Sequence, residues 1–468
     1  MRQYFLLVLF INATMMFSNV QAEISPPVSA PANRLVTLGL SEDCSFEPVF
    51  RGEACVYEIN KQAKETVVLV HGLNARAGSW VSQVAALKDD YHVISFDLPG
   101  FGKSSRGNRL YSPTNYARFI HFITNKYIDR PFHLIGHSMG GAISLRYNAM
   151  YPRDIKRLIL ADVGGVLHQY SFAKSIAFKW LKLLQELTVW TIPSLQDMPA
   201  VDDMANTLFQ SLEWLPIDIR DALQVPELRA VILNGNSIPI AGAAVSSENL
   251  SGTIRSNRIP TLIIWGAYDL VTPIRTGTIL EAKMTNAYMK VLPHSAHSPM
   301  SDQPIEFNQL MLKHLRASDY ELKKNIEKNI AFKYSNKIGR CSNGGKKVFQ
   351  GSYLRIELNN CKKAIIRNAS VGSIVVKNSD VEIEKSQIVT KDIAVTLFDS
   401  TLYITASDIS AAIGIQTVRS HVDVAGVDFK VNTAAINNLG QSDAVFSVST
   451  VNGKSLHGYK DFTLEGGI

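Results

Sequence analysis

The serine at position 138 has the local sequence expected of an enzyme nucleophile. It is the centre of a G-H-S-M-G motif at residues 136–140, which follows a short apolar strand and precedes a helix-forming stretch. Glycines two positions to either side allow a tight strand-to-helix turn that exposes the hydroxyl above a sheet edge. A serine hydroxyl is a weak nucleophile without a histidine base and a carboxylate that orients this base. The motif therefore predicts a Ser–His–acid triad.

The acid and the base should follow later strands, because this type of turn goes with the chain order serine, acid, histidine. Asp269 follows the apolar run at residues 261–265, and His297 lies in a loop after a further apolar stretch. We therefore predict Asp269 as the acid and His297 as the base. Asp162 also follows a strand and is the alternative acid, and His294 is the alternative base.

Alternating apolar and helix-length segments predict the elements that position these residues. Short apolar runs occupy residues 66–70, 92–96, 132–135, 157–161 and 261–265. Such runs, separated by helices, are typical of an α/β fold with a parallel sheet covered on both faces. The ligand crevice of such a sheet lies beyond the carboxyl ends of the strands. Apolar residues at helical spacing in residues 172–190 indicate a helical cap, expected at about residues 165–256.

Further motifs resemble those of the α/β-hydrolase superfamily, and the resemblance covers residues 36–316. They are H-G at 71–72, D-L-P-G-F-G-K-S at 97–104, G-A-Y-D at 266–269, and H-S-P at 297–299 followed by Q-P at 303–304. The histidine motif departs from the family in one position, since Ala296 stands where glycine is usual. The resemblance implies an α/β-hydrolase fold with a helical cap, and the ordered motifs again select Asp269 and His297.

The resemblance also implies how the carbonyl oxygen of a substrate would be held. Backbone N–H groups should form an oxyanion hole, and the implied donors are those of Leu73 and Met139. His71 is expected to shape the oxyanion loop. His137 is expected to pack or orient neighbouring groups rather than to act as a base.

These features predict a hydrolase that transfers an acyl group to water. The preferred substrate is a small or lipid-like carboxylic ester, because the cap looks apolar. A carbon–carbon bond hydrolase or an acyltransferase on the same triad is one alternative. A surface-binding β-solenoid protein with a vestigial hydrolase domain is another. We expect no cofactor and no metal site, and the glycine-rich loop at residues 97–104 does not fit the phosphate loop of nucleotide-binding proteins.

The N-terminus predicts export to the periplasm or secretion. Residues 1–22 combine Arg2, an apolar centre and V-Q-A at 20–22, which indicates a signal peptide cleaved before Glu23. An uncleaved membrane anchor is the alternative. The four cysteines, which an oxidising compartment would pair, are expected to form the local disulfides Cys44–Cys55 and Cys341–Cys361.

Composition changes after the last motif. Residues 23–316 are expected to form the hydrolase domain and residues 317–339 a charged linker. Residues 340–468 carry short strands between polar turns such as N-S, D-S and R-S, which predicts an all-β domain. We expect a parallel β-helix, or β-solenoid, with a β-sandwich as the alternative. This region is expected to be an independent module that docks on a polymer, the cell envelope or another protein. The scattered net charge of +7 argues against a nucleic-acid partner.

Overall fold

The computed structural model describes residues 31–172, 223–326, 332–462 and 466–468. The signal peptide predicted at residues 1–22 lies outside these ranges. So does the apolar stripe predicted at residues 172–190, apart from Phe172.

The first sheet has the predicted α/β architecture. Its strands are β1 (Ser41–Glu47), β2 (Gly52–Ile59), β3 (Thr66–Val70), β4 (His92–Phe96), β5 (Phe132–His137), β6 (Ile155–Ala161), β7 (Thr261–Gly266) and β8 (Ala287–Leu292). Their spatial order is β1-β2-β4-β3-β5-β6-β7-β8. β1 and β2 pair antiparallel, and the pairs from β4 through β3 to β8 are parallel. β3, β4, β5 and β7 are buried along their whole length, as expected for strands covered on both faces.

Helices cover both faces of this sheet. They are α1 (Pro31–Thr37), α2 (Val81–Leu87), α3 (Pro113–Tyr127), α4 (Met139–Met150), α5 (Pro226–Leu233), α6 (Ser237–Ser247), α7 (Ser251–Ser256), α8 (Arg275–Lys283), α9 (Pro299–Asp302), α10 (Pro304–Arg316) and α11 (Asp319–Asn325). β3 shows how two cores arise. Val68 and Val70 join the hydrophobic cluster on one face of the sheet, whereas Val67 and Leu69 join the cluster on the other.

The segment expected as a linker contains a helix. Ser318 caps α11 by accepting a hydrogen bond from the backbone of Glu321, whose side chain in turn accepts one from the Ser318 backbone. Leu322 is buried in the hydrophobic cluster below the sheet. The charged composition of this segment indicated a linker, but one apolar side chain and a good cap suffice to fold its first part onto the domain.

The described part of the predicted cap is helical. It contains α5, α6 and α7, whereas residues 173–222 lie outside the described residues. Among the described helices no single one has the length and apolarity of a membrane span, and α5 and α6 reach that threshold only together, across a bend of 110°.

The C-terminal region is all β, as predicted. Its strands are β9 (Ile338–Gly344), β10 (Lys347–Cys361), β11 (Ala364–Lys377), β12 (Asp380–Glu384), β13 (Gln387–Val389), β14 (Ile393–Phe398), β15 (Thr401–Thr405), β16 (Asp408–Val418), β17 (His421–Ala425), β18 (Asp428–Asn438), β19 (Ser442–Val451), β20 (Lys454–Phe462) and β21 (Gly466–Gly467). Parallel pairs close a barrel-like ring in the order β11-β12-β15-β17-β19-β18-β16-β13 and back to β11.

Successive strands of this ring stack at a regular interval of sequence. Leu402 of β15 pairs with Val381 of β12 and with Val422 of β17, which are 21 and 20 residues away. The polar turns predicted from the sequence lie at the corners. At three of them a residue with positive φ, namely Asn378, Asp399 or Arg419, precedes a serine whose backbone N–H donates to the hydroxyl of the next serine in the stack. This ladder joins Ser379, Ser400, Ser420 and Ser442 at 3.1–3.2 Å.

Both predicted disulfides are present. Cys44 and Cys55 lie opposite each other in the β1–β2 pair. Cys341 and Cys361 join β9 to the end of β10.

The C-terminal sheet packs against the first domain, which differs from the expectation of an independent module. Ala425 of β17 and Val448 of β19 belong to the same hydrophobic cluster as the helices of the first domain. Gly426, which has a positive φ, brings the backbone close to Ile279 of α8. Interdomain packing of this kind leaves no trace in local composition, which was the only basis for the expectation.

Candidate active site

Ser138 lies at a sharp turn between β5 and α4. Its φ of 53° and ψ of −119° are unusual for a residue with a side chain, and its N–H donates to the carbonyl of Ala161 at 2.9 Å. A side chain at Gly136 would collide with the carbonyl of Gly140, and one at Gly140 with the carbonyl of Val70. The motif therefore carries glycines because neighbouring backbone leaves no room for a Cβ.

The structure places the three residues predicted as a triad in one hydrogen-bonded series. The Nε2 atom of His297 is 3.0 Å from the Oγ atom of Ser138. The Nδ1 atom of His297 is 2.9 Å from the Oδ2 atom of Asp269. With the Nδ1 proton donated to the carboxylate, the Nε2 lone pair faces the serine hydroxyl, as a general base requires.

Asp269 is held as a carboxylate by several donors. Its Oδ1 atom accepts hydrogen bonds from the backbone N–H groups of Val271 at 2.7 Å and Thr272 at 2.9 Å, and the Thr272 hydroxyl donates to Oδ2 at 2.6 Å. Burial alone would raise the pKa of Asp269. The charge and hydrogen bond of His297, together with hydrogen bonds from Asp162 and Thr272, instead hold this pKa below its ordinary value.

The loop that carries the histidine is fixed from two sides. Gly266 packs so closely on the carbonyl of Ala296 that a Cβ would collide with it. Asp302 accepts a hydrogen bond from the Ala296 N–H at 2.8 Å, and Gln303 accepts one from the His294 N–H at 2.9 Å. The side chain of His294 is exposed, and His297 is the histidine that faces Ser138.

His137 lies against the loop of the base. Its Nε2 atom is 2.6 Å from the carbonyl oxygen of His297, and the two rings are 4.9 Å apart. Burial, followed by the charge of His297, lowers the pKa of His137 to about 3, so its ring is neutral and donates from Nε2. A residue next to Ser138 thus hydrogen-bonds to the backbone of His297, as the predicted orienting role would require.

The turn at residues 71–73 lies beside Ser138. A Cβ at Gly72 would be 3.0 Å from the Cβ of Ser138. Within the described ranges, no acceptor receives the backbone N–H of Leu73 or of Met139. These two N–H groups are the donors predicted for an oxyanion hole, and that role stays a prediction.

His71 and the loop at residues 97–104 support this turn rather than the reacting atoms. The Nδ1 atom of buried His71 is 2.7 Å from the Gly72 carbonyl, and its Nε2 accepts the Leu98 N–H at 2.9 Å. Burial lowers the pKa of His71. Asp97 accepts the backbone N–H groups of Ala77 at 2.7 Å and Lys103 at 2.8 Å.

A cleft of about 920 Å³ opens beside the same turn. Its lining includes Phe101 and Ile238, which are apolar, and Arg76 and Arg106, which are cationic and exposed.

Asp162, the alternative acid, is also at the site but in another position. It is fully buried at the end of β6, and its Oδ1 atom accepts the Gly266 N–H at 3.0 Å. One ligating atom each of Asp162, Asp269 and His297 lies within 4.8 Å of the others. The sequence showed only that Asp162 follows a strand, so its contact with the predicted acid was not foreseen.

Two groups of described side chains are spaced closely enough to hold a metal ion. One is Asp162 with Asp269 and His297, in which the histidine nitrogen already hydrogen-bonds to a carboxylate. The other contains Glu42 and the two sulfurs of a disulfide, which lack the thiolate charge that binds metals.

Comparisons with known proteins found a family model, curated relatives and solved structures that are similar to this chain. A family model described as alpha/beta hydrolase fold matches residues 65–304, just over half of the chain. Monoacylglycerol lipase ABHD6 of Rattus norvegicus is 26% identical over 278 residues, which cover 58% of this chain and 79% of that protein. The uncharacterized protein Rv2715 of Mycobacterium tuberculosis is 26% identical over 262 residues, which cover 52% and 72%. The solved esterase of Exiguobacterium antarcticum has a TM-score of 0.41 and 19% identity, and the match covers 57% of this chain and 97% of that one.

Proposed function

Because the chain belongs to the α/β-hydrolase family, we propose that it is a serine hydrolase that cleaves carboxylic esters through an acyl-enzyme. The hydrogen-bonded series from Ser138 through His297 to Asp269 carries the proposal. The Ser138 oxygen attacks the ester carbonyl carbon while His297 Nε2 takes its proton. His297 then gives this proton to the leaving alkoxide. Water, deprotonated by His297, attacks the acyl-enzyme, releases the acid and regenerates the serine.

Electrostatic stabilisation of the tetrahedral intermediate is assigned to two backbone groups. The oxygen that becomes negative when Ser138 attacks would accept the N–H groups of Leu73 and Met139. Met139 is the first residue of α4, so its N–H is one of the amide groups that a helix leaves without an internal partner. The hydrogen bonds of His71 keep the Leu73 turn in place before substrate arrives.

We infer an amphiphilic ester as the substrate. The mammalian relatives are named monoacylglycerol lipases, whose substrates join one acyl chain to a polar alcohol. Apolar and cationic side chains also line a cleft that begins at Asn74, next to the turn at residues 71–73, but Ser138, His297 and Asp269 are not among its lining residues. A polymer, envelope or protein partner for the C-terminal region stays a prediction.

A substrate panel tests this function. Purified protein would be assayed with p-nitrophenyl esters of graded chain length, with a monoacylglycerol, and with a vinylogous 1,5-diketone that reports carbon–carbon hydrolysis. We expect ester turnover by the wild type and none above background by Ser138→Ala. Cleavage of the diketone without cleavage of any ester would favour the alternative reaction on the same triad.

We further propose that the C-terminal region is a parallel β-helix and that the chain is exported. The 20–21-residue interval between stacked strands and the serine ladder at its corners support the β-helix. The two disulfides support an oxidising compartment. Mass spectrometry of protein from its native compartment should find an N-terminus at Glu23 and no free thiol. A retained leader or four free thiols would contradict export.

A further inference from the structure

Asp162 has a carboxyl group that is buried next to the proposed triad and takes no part in the proposed steps of ester hydrolysis. Its side chain is fully buried, and its φ of 43° is uncommon for a residue other than glycine. Its Oδ1 atom accepts the N–H of Gly266, three residues before Asp269. The carboxyl group therefore joins the end of β6 to the start of the acid loop.

The second carboxyl oxygen of Asp162 lacks a hydrogen-bond donor among the described residues, and this Oδ2 atom is buried. The same carboxyl lies within 4.8 Å of Asp269. Two carboxylates so close together in a buried place repel each other, and burial already disfavours each charge, so a proton on one of them lowers both costs.

The surrounding donors decide which one is ionised. Asp269 accepts hydrogen bonds from the backbone of Val271 and Thr272, from the Thr272 hydroxyl and from His297. The carboxyl group of Asp162 accepts only the Gly266 N–H among the described groups. The negative charge is therefore more stable on Asp269, and a proton on the Oδ2 atom of Asp162 converts an unpaired acceptor into a donor.

We propose that Asp162 is a neutral carboxylic acid at neutral pH and donates its proton in a hydrogen bond to the Asp269 carboxylate, which makes it a positioning residue for the triad. This role rests on the function proposed for Asp269. Burial, the charge of Asp269 and the hydrogen bond between the two carboxyls raise the pKa of Asp162 well above its ordinary value, and the charge of Asp302 adds to the effect. The donated hydrogen bond holds the Asp269 carboxylate, and with it the ring of His297.

Two substitutions of Asp162 test whether this residue acts as a neutral hydrogen-bond donor or as a second negative charge. Asp162→Asn keeps an acceptor for Gly266 and supplies an N–H donor for Asp269, so kcat should stay within about threefold of the wild type. Asp162→Ala removes both groups. It should lower kcat by roughly tenfold to a hundredfold at unchanged KM, the loss expected for one hydrogen bond to a charged group. An Asn variant as inactive as the Ala variant would overturn the proposal.

Infrared spectroscopy tests the protonation state without any assay of activity. In protein labelled with ¹³C-aspartate, a protonated aspartate has a carbonyl band that a carboxylate lacks. We expect this band at pH 7 in the wild type and in Ser138→Ala, and its loss in Asp162→Asn. Absence of the band from the wild type would refute the neutral acid even if both variants of Asp162 failed to fold. Because the band does not depend on turnover, this result is independent of the proposed ester hydrolysis.

Discussion

Arg275, at the start of α8, forms an ion pair with Asp423 of the C-terminal sheet, with 2.9 Å between Nη2 and Oδ1. The Arg275 side chain also donates to the Thr405 hydroxyl at 2.6 Å and to the Ile404 carbonyl at 3.2 Å. Since Arg275 lies six residues after Asp269, the C-terminal sheet contacts the far end of the loop that carries Asp269.

A second group of contacts holds the neighbouring helices. Asp428 lies 2.6 Å from the Nη2 atom of Arg255 and 2.7 Å from the Nζ atom of Lys283. Burial would raise the pKa of Asp428, but these two cations and their hydrogen bonds lower it to about 2. The backbone N–H of His168, six residues after Asp162, donates to the Ser447 hydroxyl at 2.8 Å. The C-terminal sheet thus contacts the segments that follow Asp269 and Asp162 in the chain.

Arg275→Ala should destabilise the whole protein. Asp423 has only 2% of its side chain exposed, so removing its partner leaves a buried charge, at a cost of about 3 kcal/mol. Denaturant unfolding would measure this loss. Arg419→Ala is the matched control, because its pair with Asp399 lies within the C-terminal sheet and is exposed on both sides. Equal midpoints for wild type and Arg275→Ala would contradict the role given to this contact.

Shortening the chain to residues 23–335 should impair the first domain as well. The cut removes Ala425 and Val448 from its hydrophobic cluster and leaves Arg255 and Lys283 without their carboxylate partner. We expect aggregation, or a lower melting temperature and weaker hydrolysis of small soluble esters than the full chain. A soluble fragment with activity within about tenfold of the full chain would contradict this expectation. It would instead support the independent C-terminal module that the composition indicated.

Acid should destabilise the fold in part through His314. Burial, followed by the charge of Arg157, lowers the pKa of His314 to about 3 from an ordinary value of about 6.5. Between these values the unfolded chain binds the proton and the folded chain does not, so stability falls as pH falls, by at most about 1.4 kcal/mol per unit. His314→Gln should flatten this slope in urea unfolding between pH 6.5 and 4.5. An unchanged slope would count against a neutral buried ring.

The strands could be predicted from the sequence, and the candidate site residues selected from it, because both follow local rules. Buried parallel strands require continuous apolar runs, and the turn at Ser138 requires glycines on both sides. The placement of Asp269 and His297 followed from chain order and from loops after strands. Each of these signals lies within a few residues of the position that it describes.

What the sequence did not reveal depends on contacts between distant segments. Asp162 and Asp269 are 107 positions apart in the chain, and only the fold brings their carboxyls together. The same holds for Arg275 and Asp423, whose pairing fixes one domain on the other. The helix α11 was missed for a different reason, since its single buried leucine is too weak a pattern to stand out from charged neighbours.

Covalent labelling tests the central claim, that Ser138 is a nucleophile activated by His297 and Asp269, most directly. A fluorophosphonate probe reacts with an activated serine hydroxyl and leaves unactivated serines unmodified. We predict one labelled site in the wild type, located at Ser138 by peptide mass spectrometry, and no labelling of Ser138→Ala. His297→Ala, which keeps the serine but removes its base, should label more slowly by about three orders of magnitude or more. Undiminished labelling of the Ser138→Ala variant, or a wild type that does not react, would contradict the account.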